Sequence, residues 1–319
     1  MKAVGVARFG GPEALDVFDV PDRHAGPGQV RIRVRAATVN PGDRYLRNGS
    51  LGANAPAPPY IPGMEAAGIV DEIGAGTVTD LRIGDRVMAV AMPTARGGGA
   101  YAEYVAVPAR WVTRAPAGSS HAEAATLPMN GLTSRLALDL LGLTAGGTLA
   151  VTGGAGAVGG YAVQMAKADG IKVIADASPA DEPLLRSLGA DVIVPRSQDV
   201  AARIREALPD GADAVLDAAV VGSAQVAAAV RDGGAIATVL GEGSRAVSPA
   251  ELRRRSLTCH MVFVPEYIGD HGKLERLREQ AEAGDITLRV GRTFAPEQAS
   301  QAHHLMEAGG TRGRLVLEF

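Results

Sequence analysis

Leu149-Ala150-Val151-Thr152-Gly153-Gly154-Ala155-Gly156-Ala157-Val158-Gly159 is the stretch on which the fold turns. A short strand-like run enters a glycine-rich turn, and a segment rich in Ala, Val and Met leaves it with helical character. Inside stands Gly154-x-Gly156-x-x-Gly159. The glycines of such a pattern serve different ends. One makes the tight turn, one lets the backbone approach a pyrophosphate closely, and one allows helix to pack on strand. The helix N-terminus then stabilises the phosphate charge. In a chain with 41 glycines the six-residue pattern alone recurs by chance. Its place between a strand and a helix makes it a dinucleotide-binding fingerprint.

Outward from this turn the chain alternates. Candidate strands are Leu149–Thr152, Lys172–Ala175, Val192–Val194, Ala214–Asp217 and Ala235–Leu240, with helical stretches beginning near Val158, Asp181, Val200 and Gln225. Strand–helix alternation predicts a doubly wound parallel sheet. A further helix is expected over Lys273–Ala283 and a last strand over Gly313–Phe319. Before residue 115 or so the rhythm differs. Val30-Arg31-Ile32-Arg33-Val34-Arg35 alternates with period two, and Gly, Pro and Asp clusters such as Gly10-Gly11-Pro12 and Gly84-Asp85 punctuate the chain. A helix starts at His121, capped by Ser119 or Ser120 with Glu123 in its first turn. The fold class is therefore α/β, with a β-rich domain joined to a parallel-sheet domain, as 319 residues allow.

Bulk composition narrows the function. A net charge of -3 gives no bias toward nucleic acid or anionic membrane, and the most apolar run, Ala218–Val230, is too short to span a bilayer. The single cysteine, Cys259, excludes an internal disulfide and a Cys-rich zinc cluster, and suits a reducing cytoplasm. The first residues carry no apolar signal core, so secretion is not expected. His303-His304 reads as a solvated pair on an exposed helix, and Arg47 as a solvated surface residue.

Ordered motifs run nearly the whole length: Gly10-Gly11-Pro12-Glu13, Asn40-Pro41-Gly42-Asp43-Arg44-Tyr45-Leu46-Arg47-Asn48-Gly49, Pro62-Gly63-Met64-Glu65-Ala66-Ala67-Gly68, Gly84-Asp85-Arg86-Val87, Gly131-Leu132-Thr133, the glycine-rich loop, and Thr311-Arg312-Gly313-Arg314-Leu315-Val316-Leu317. With them the chain resembles the medium-chain dehydrogenase/reductase superfamily, specifically its zinc-independent quinone oxidoreductase branch. The resemblance implies a GroES-like β-barrel domain over 1–118 and 285–319, a Rossmann domain over 119–284, and an active site in the cleft between them. The zinc enzymes of the superfamily carry Cys and His where this chain carries Asn40 and Met64. Asn and Met are poor zinc partners, so no metal site is expected. Without a Lewis acid the chemistry narrows to hydride transfer onto an acceptor that is already electron-poor, a quinone or an α,β-unsaturated carbonyl.

The resemblance also implies site residues. Pro41, Thr133, Leu240, Gly241 and Phe263 approach the nicotinamide; Gly154, Gly156, Ala157, Val158 and Gly159 hold the pyrophosphate; Asn40 and Tyr45 are the catalytic candidates on the substrate side. For NADPH, Ser178 and Arg196 would meet the 2′-phosphate, a guanidinium being suited to phosphate oxygens. Relatives' Lys and Tyr positions there fall near Glu182 and Pro195. NADH is the alternative, with Asp176 on the ribose. Asn40 and Asp43 can equally cap a turn, and Tyr45 can simply pack. The Tyr of enoyl-thioester reductases falls at Leu51, which counts against that specialised activity. A tailoring reductase of secondary metabolism, or a cofactor-binding protein without catalysis, remains open. Arg253-Arg254-Arg255 with few aromatics is a weak nucleic-acid signal. The partner is a small electrophile, and the resemblance further implies a homodimer paired through the edge strand near Leu257–Val264.

Overall fold

The computed structural model describes residues 1–50, 58–95, 98–239 and 245–319, with Glu266 described by its backbone alone. The sequence expectations for Leu51, Leu240 and Gly241 lie outside the described residues. Two compact units emerge, Met1–Met129 with Tyr267–Ala283 and Leu288–Phe319, and Asn130–Glu266 with Gly284–Thr287.

In chain order the described elements begin with β1 (Lys2–Val6), β2 (Leu15–Asp19), β3 (Gln29–Thr38), α1 (Pro41–Arg47), β4 (Glu65–Ile73), β5 (Arg86–Val90), β6 (Tyr104–Pro108) and β7 (Val112–Arg114). Next come α2 (His121–Ala125), α3 (Pro128–Leu141), β8 (Thr148–Thr152), α4 (Ala157–Ala168), β9 (Lys172–Ala177), α5 (Glu182–Ser187), β10 (Val192–Pro195), α6 (Val200–Ala207) and β11 (Ala212–Asp217). The chain continues with α7 (Ser223–Val226), β12 (Val230–Thr238), α8 (Pro249–Arg255), β13 (Thr258–Met261), α9 (Pro265–Ile268), α10 (His271–Glu282), β14 (Val290–Phe294), α11 (Ala299–Ala308) and β15 (Arg314–Glu318).

The first unit is built on a sheet of order β14-β15-β3-β4-β5-β7, with β6 also on β3 and only the β14–β15 pair parallel. The alternation in Val30–Arg35 becomes β3, where Val30, Ile32 and Val34 turn into the core beside Val70, Val87 and Leu317. The unit includes α10, whose Glu275 and Glu282 accept hydrogen bonds from the Thr113 hydroxyl and the Ala117 N–H. The division expected from sequence groups 119–284 together; by contacts, residues 119–129 and 267–283 belong with the first unit.

The second unit's sheet has the order β10-β9-β8-β11-β12-β13, parallel throughout. This is the doubly wound order in which the strand sequence reverses beside β8, where Rossmann folds bind dinucleotides. Apolar residues of β8, β9, β11 and β12 (Ala150, Ile174, Val215, Ile236) form its core with Ile204 and Val226. One strand differs from expectation: β12 begins at Val230, because the pairing with β11 passes through a register shift around Asp232-Gly233-Gly234, which reads locally as a turn. Ser120 caps α2 in a capping box with Glu123, as its spacing predicts. Among the described residues, no helix is long and apolar enough to cross a membrane.

Candidate active site

The loop between β8 and α4 has the shape of a phosphate cradle. Gly153 takes φ +67°, a conformation glycine alone adopts without strain. A Cβ on Gly159 would fall on the Gly153 carbonyl oxygen, 2.8 Å from its carbon and 2.9 Å from Gly154 Cα. One on Gly154 would come 2.9 Å from Leu185 and 3.1 Å from Ala175. Gly159 thus lets the first turn of α4 sit directly on the loop, and the exposed Gly156 is the N-cap residue. Ala157 and Val158 open the helix, half-buried, and the Ser134 hydroxyl of α3 lies 2.8 Å from both the Val158 and the Asn130 carbonyl oxygens. The backbone is close-packed with glycine where a pyrophosphate must approach, so the residues present fit a dinucleotide.

At the end of β9 the acid Asp176 is buried and committed. Its Oδ1 accepts the Gly153 N–H at 2.6 Å, and its Oδ2 the Arg196 Nε at 3.0 Å. Arg196 is 3.8 Å from Asp181, which accepts the Ser178 hydroxyl at 2.7 Å. Ser178 and Arg196 therefore share one cluster with the loop. Asp176 thus ties the loop's backbone to Arg196 through one hydrogen bond on each oxygen.

In the first unit, Asn40 caps α1 with Pro41 at the first helical position. Its N–H donates to Asp43 Oδ2 at 2.8 Å, and its Nδ2 lies 3.1 Å from Glu65 Oε1 and 3.2 Å from Thr38 Oγ1. Asp43 is fully buried and also accepts the Gly63 N–H at 2.8 Å and the Tyr101 hydroxyl at 3.0 Å. Burial pushes its carboxyl up to about 6 against these hydrogen bonds and the charge of Arg314. Tyr45, half-buried on the same helix, accepts from Arg44 Nη2 at 3.2 Å, and the Arg44 guanidinium lies 5.0 Å from its ring centre. Thr133 is buried on α3, whereas Phe263, beyond β13, is more than half exposed.

Two expectations are overturned. His303 is wholly buried, its pKa pushed down to about 3 by desolvation and by the neighbouring Arg47. Arg47 is 3% exposed, with Nη1 on His303 Nδ1 at 2.9 Å, Nε on the Gly10 carbonyl at 3.2 Å and Nη2 on Glu307 at 2.5 Å. Neither is solvated, because partners far along the chain satisfy their polar atoms. Tyr101 and Thr38 carry no signal in the sequence, and the closing motif containing Arg314 does not show its pairing with Glu65.

The positions of the zinc ligands do not fit a metal. Glu65 Oε1 accepts from the Thr38 hydroxyl, from Asn40 and from Arg314 Nη2 (2.9 Å), and Oε2 accepts the Met129 N–H at 2.7 Å. With its carboxylate so occupied and only an amide and a thioether at 40 and 64, the donor set lacks what Zn²⁺ takes. Among the described residues, no group of three or more His, Cys, Asp or Glu is placed to hold a metal ion.

A Rossmann-ordered sheet with a glycine cradle, in a chain with a largely antiparallel unit, defines a dinucleotide-binding oxidoreductase of two-domain type. Known families match: the alcohol dehydrogenase GroES-like domain over residues 26–117 and the zinc-binding dehydrogenase domain over residues 188–317. The quinone oxidoreductase of Pseudomonas aeruginosa is 31% identical, over 99% of each chain. A chloroplastic NADPH-dependent alkenal/one oxidoreductase of Arabidopsis thaliana is 32% identical over 99% of this chain and 79% of its own. A mycobacterial protein solved in complex with NADPH superposes over all of both chains with a TM-score of 0.88 at 29% identity. The chain belongs to the medium-chain dehydrogenase/reductase superfamily, in its zinc-independent quinone oxidoreductase branch.

Proposed function

We propose that this protein is an NADPH-dependent reductase delivering hydride to a quinone or an α,β-unsaturated carbonyl. The observation that carries the reading is the glycine cradle on a Rossmann-ordered sheet in a chain whose zinc-ligand positions hold Asn40 and Met64. NADPH supplies the hydride when bound. Gly154, Gly156, Ala157, Val158 and Gly159 hold its pyrophosphate, Arg196 with Ser178 its 2′-phosphate, and Pro41, Thr133, Leu240, Gly241 and Phe263 its nicotinamide end. Asn40 shapes the substrate side from the cap of α1. Tyr45 is the proton donor: its oxygen accepts from Arg44, and its own proton has no acceptor among the described residues. Catalysis then rests on orientation and on polar stabilisation of the oxygen that gains charge.

The Arabidopsis relative's NADPH dependence and the NADPH complex of the mycobacterial protein support the cofactor. One observation favours NADH instead. Two buried carboxylates, Asp176 and Asp181, flank the single Arg196, and Ser178 spends its proton on Asp181. Titrating the protein with NADPH and NADH by cofactor fluorescence decides between them. Tighter NADPH binding, lost in Arg196→Leu, supports the first, and tighter NADH binding overturns it. Failure to oxidise NADPH with every member of a quinone and enone panel refutes the reductase reading. The reading extends to a cytoplasmic homodimer, supported by the single cysteine and by edge strand β13, where Met261 and the following Phe263 are exposed.

A further inference from the structure

Five side chains of the first unit form a continuous buried line that the reductase reading does not use. Arg47 of α1 meets His303 of α11, His303 Nε2 lies 3.2 Å from the Tyr101 hydroxyl, and Tyr101 meets Asp43, back on α1. Glu307 closes the outer end, one-third exposed. Arg47, His303, Tyr101 and Asp43 are each at least 97% buried.

The direction of every hydrogen in this line follows from chemistry. A guanidinium only donates, so His303 Nδ1 must accept and carries no proton. A neutral imidazole then holds its proton on Nε2, which points at Tyr101 and donates to the phenol oxygen. Tyr101 passes its own proton toward Asp43 Oδ2. Each group donates to the next, and the sequence ends on a carboxylate that also takes the N–H groups of Asn40 and Gly63. The order resists reversal. A proton on Asp43 Oδ2 would require Tyr101 to turn its hydrogen away, toward a nitrogen that already bears one. His303 cannot shift its own hydrogen to Nδ1 because Arg47 stands there.

We propose that Arg47, His303 and Tyr101 are positioning residues: a one-way donor chain that keeps Asp43 ionised and thereby seats Asn40 at the substrate side of the site and Pro41 at its nicotinamide end. The inference rests on the reductase reading for the word substrate, but not for the polarity of the chain. The charged and titratable groups facing Asp43 are Tyr101, His303 beyond it, Arg47 on its own helix, and Arg314 of β15, whose charge also favours the carboxylate. Losing a donor from this set raises the pH at which Asp43 takes up a proton.

Two measurements on the full chain test it. Long-range ¹⁵N–¹H spectra of the six histidines, with His303 assigned by its loss in His303→Gln, read the tautomer directly. A neutral ring protonated at Nε2 is expected from pH 8 down to pH 5. Titration of His303 in that range, or a proton on Nδ1, overturns the chain. Steady-state reduction of a quinone by NADPH follows the consequence. Tyr101→Phe and His303→Leu should each lower kcat/KM about tenfold at pH 7, through kcat, and move the acid limb of the pH profile upward. His303→Gln, whose amide can accept from Arg47 and donate to Tyr101, should restore the parent's profile. Equal losses in Gln and Leu, or an unmoved acid limb in Tyr101→Phe, overturn the positioning role. A parent that reduces no acceptor refutes the reductase reading instead, and the tautomer measurement still decides the chain.

Discussion

Replacing Glu65 by Gln is expected to cost about 3–5 kcal/mol of stability in the first unit. The side chain is fully buried, with three donors on Oε1 and the Met129 N–H on Oε2. Gln keeps the volume but turns one oxygen into a donor. Facing the new amide toward Met129 sets two donors against each other and loses one buried bond, about 1–3 kcal/mol; the opposite orientation confronts three donors and is worse. In both, Arg314, 6% exposed, loses the carboxylate it is hydrogen-bonded to. Breaking one side of a buried pair accounts for the quoted range, and the two costs overlap rather than add. Trp111, the only tryptophan, packs on the core of this same unit, so its fluorescence in urea reports the right transition. Glu65→Gln/Arg314→Met should recover at least about 2 kcal/mol, since removing both charges is far cheaper than removing one. A loss below about 1 kcal/mol in the single variant, with an unchanged denaturant slope, would refute the reasoning.

Further outcomes follow from the same contacts. Gly159→Ala should force α4 off the Gly153 carbonyl, cost about 1–3 kcal/mol, and weaken NADPH binding at least tenfold by fluorescence titration; an unchanged Kd would contradict the cradle. Tyr45→Phe should lower kcat more than it raises KM in enone reduction, and an unaltered kcat would exclude Tyr45 as proton donor. Two buried groups contribute to the acid stability with opposite sign. Asp43, raised to about 6, contributes stability that is complete below its unfolded value near 3.8 and lost as pH rises through 6. His303, held near 3, contributes stability that is complete above 6.5 and lost as pH falls toward 3. Between about 4 and 6 the two slopes oppose. In His303→Gln only the aspartate remains, so that variant should gain on the parent by up to about 3 kcal/mol between pH 7 and 4.5; a constant difference in urea stability would count against it.

The parallel sheet was legible because its signals are local. Glycine is required at the turn after β8, and apolar runs in β8, β9 and β11 alternate with helical stretches. The donor chain was not, because burial of a polar residue depends on partners that local pattern does not contain: Arg47 and His303 are 256 positions apart. One signal was there to find. Ala299, Ala302, His303 and Met306 fall at helical spacing on one face of α11, which packs on the first unit's core, and that face carries His303 inward while His304 stays exposed. The contacts of Asp176 with Gly153 and Arg196 were equally hidden, since its spacing from Gly154 reads only as that of a ribose ligand.

The place of β15 has a consequence for how the protein comes into being. That strand lies between β14 and β3, and it carries Arg314, the counter-charge of Glu65. A ribosome releases residues 314–318 only after the whole run Asn130–Glu266 has been made. The first half to be synthesised is therefore the last to be completed. Until then the end of β3 at Ala36–Thr38 lacks its β15 partner and Glu65 lacks its cation, a state open to wrong pairing with other nascent chains. The second unit's strands, by contrast, all lie within residues 148–261 and can assemble while the ribosome is still at work.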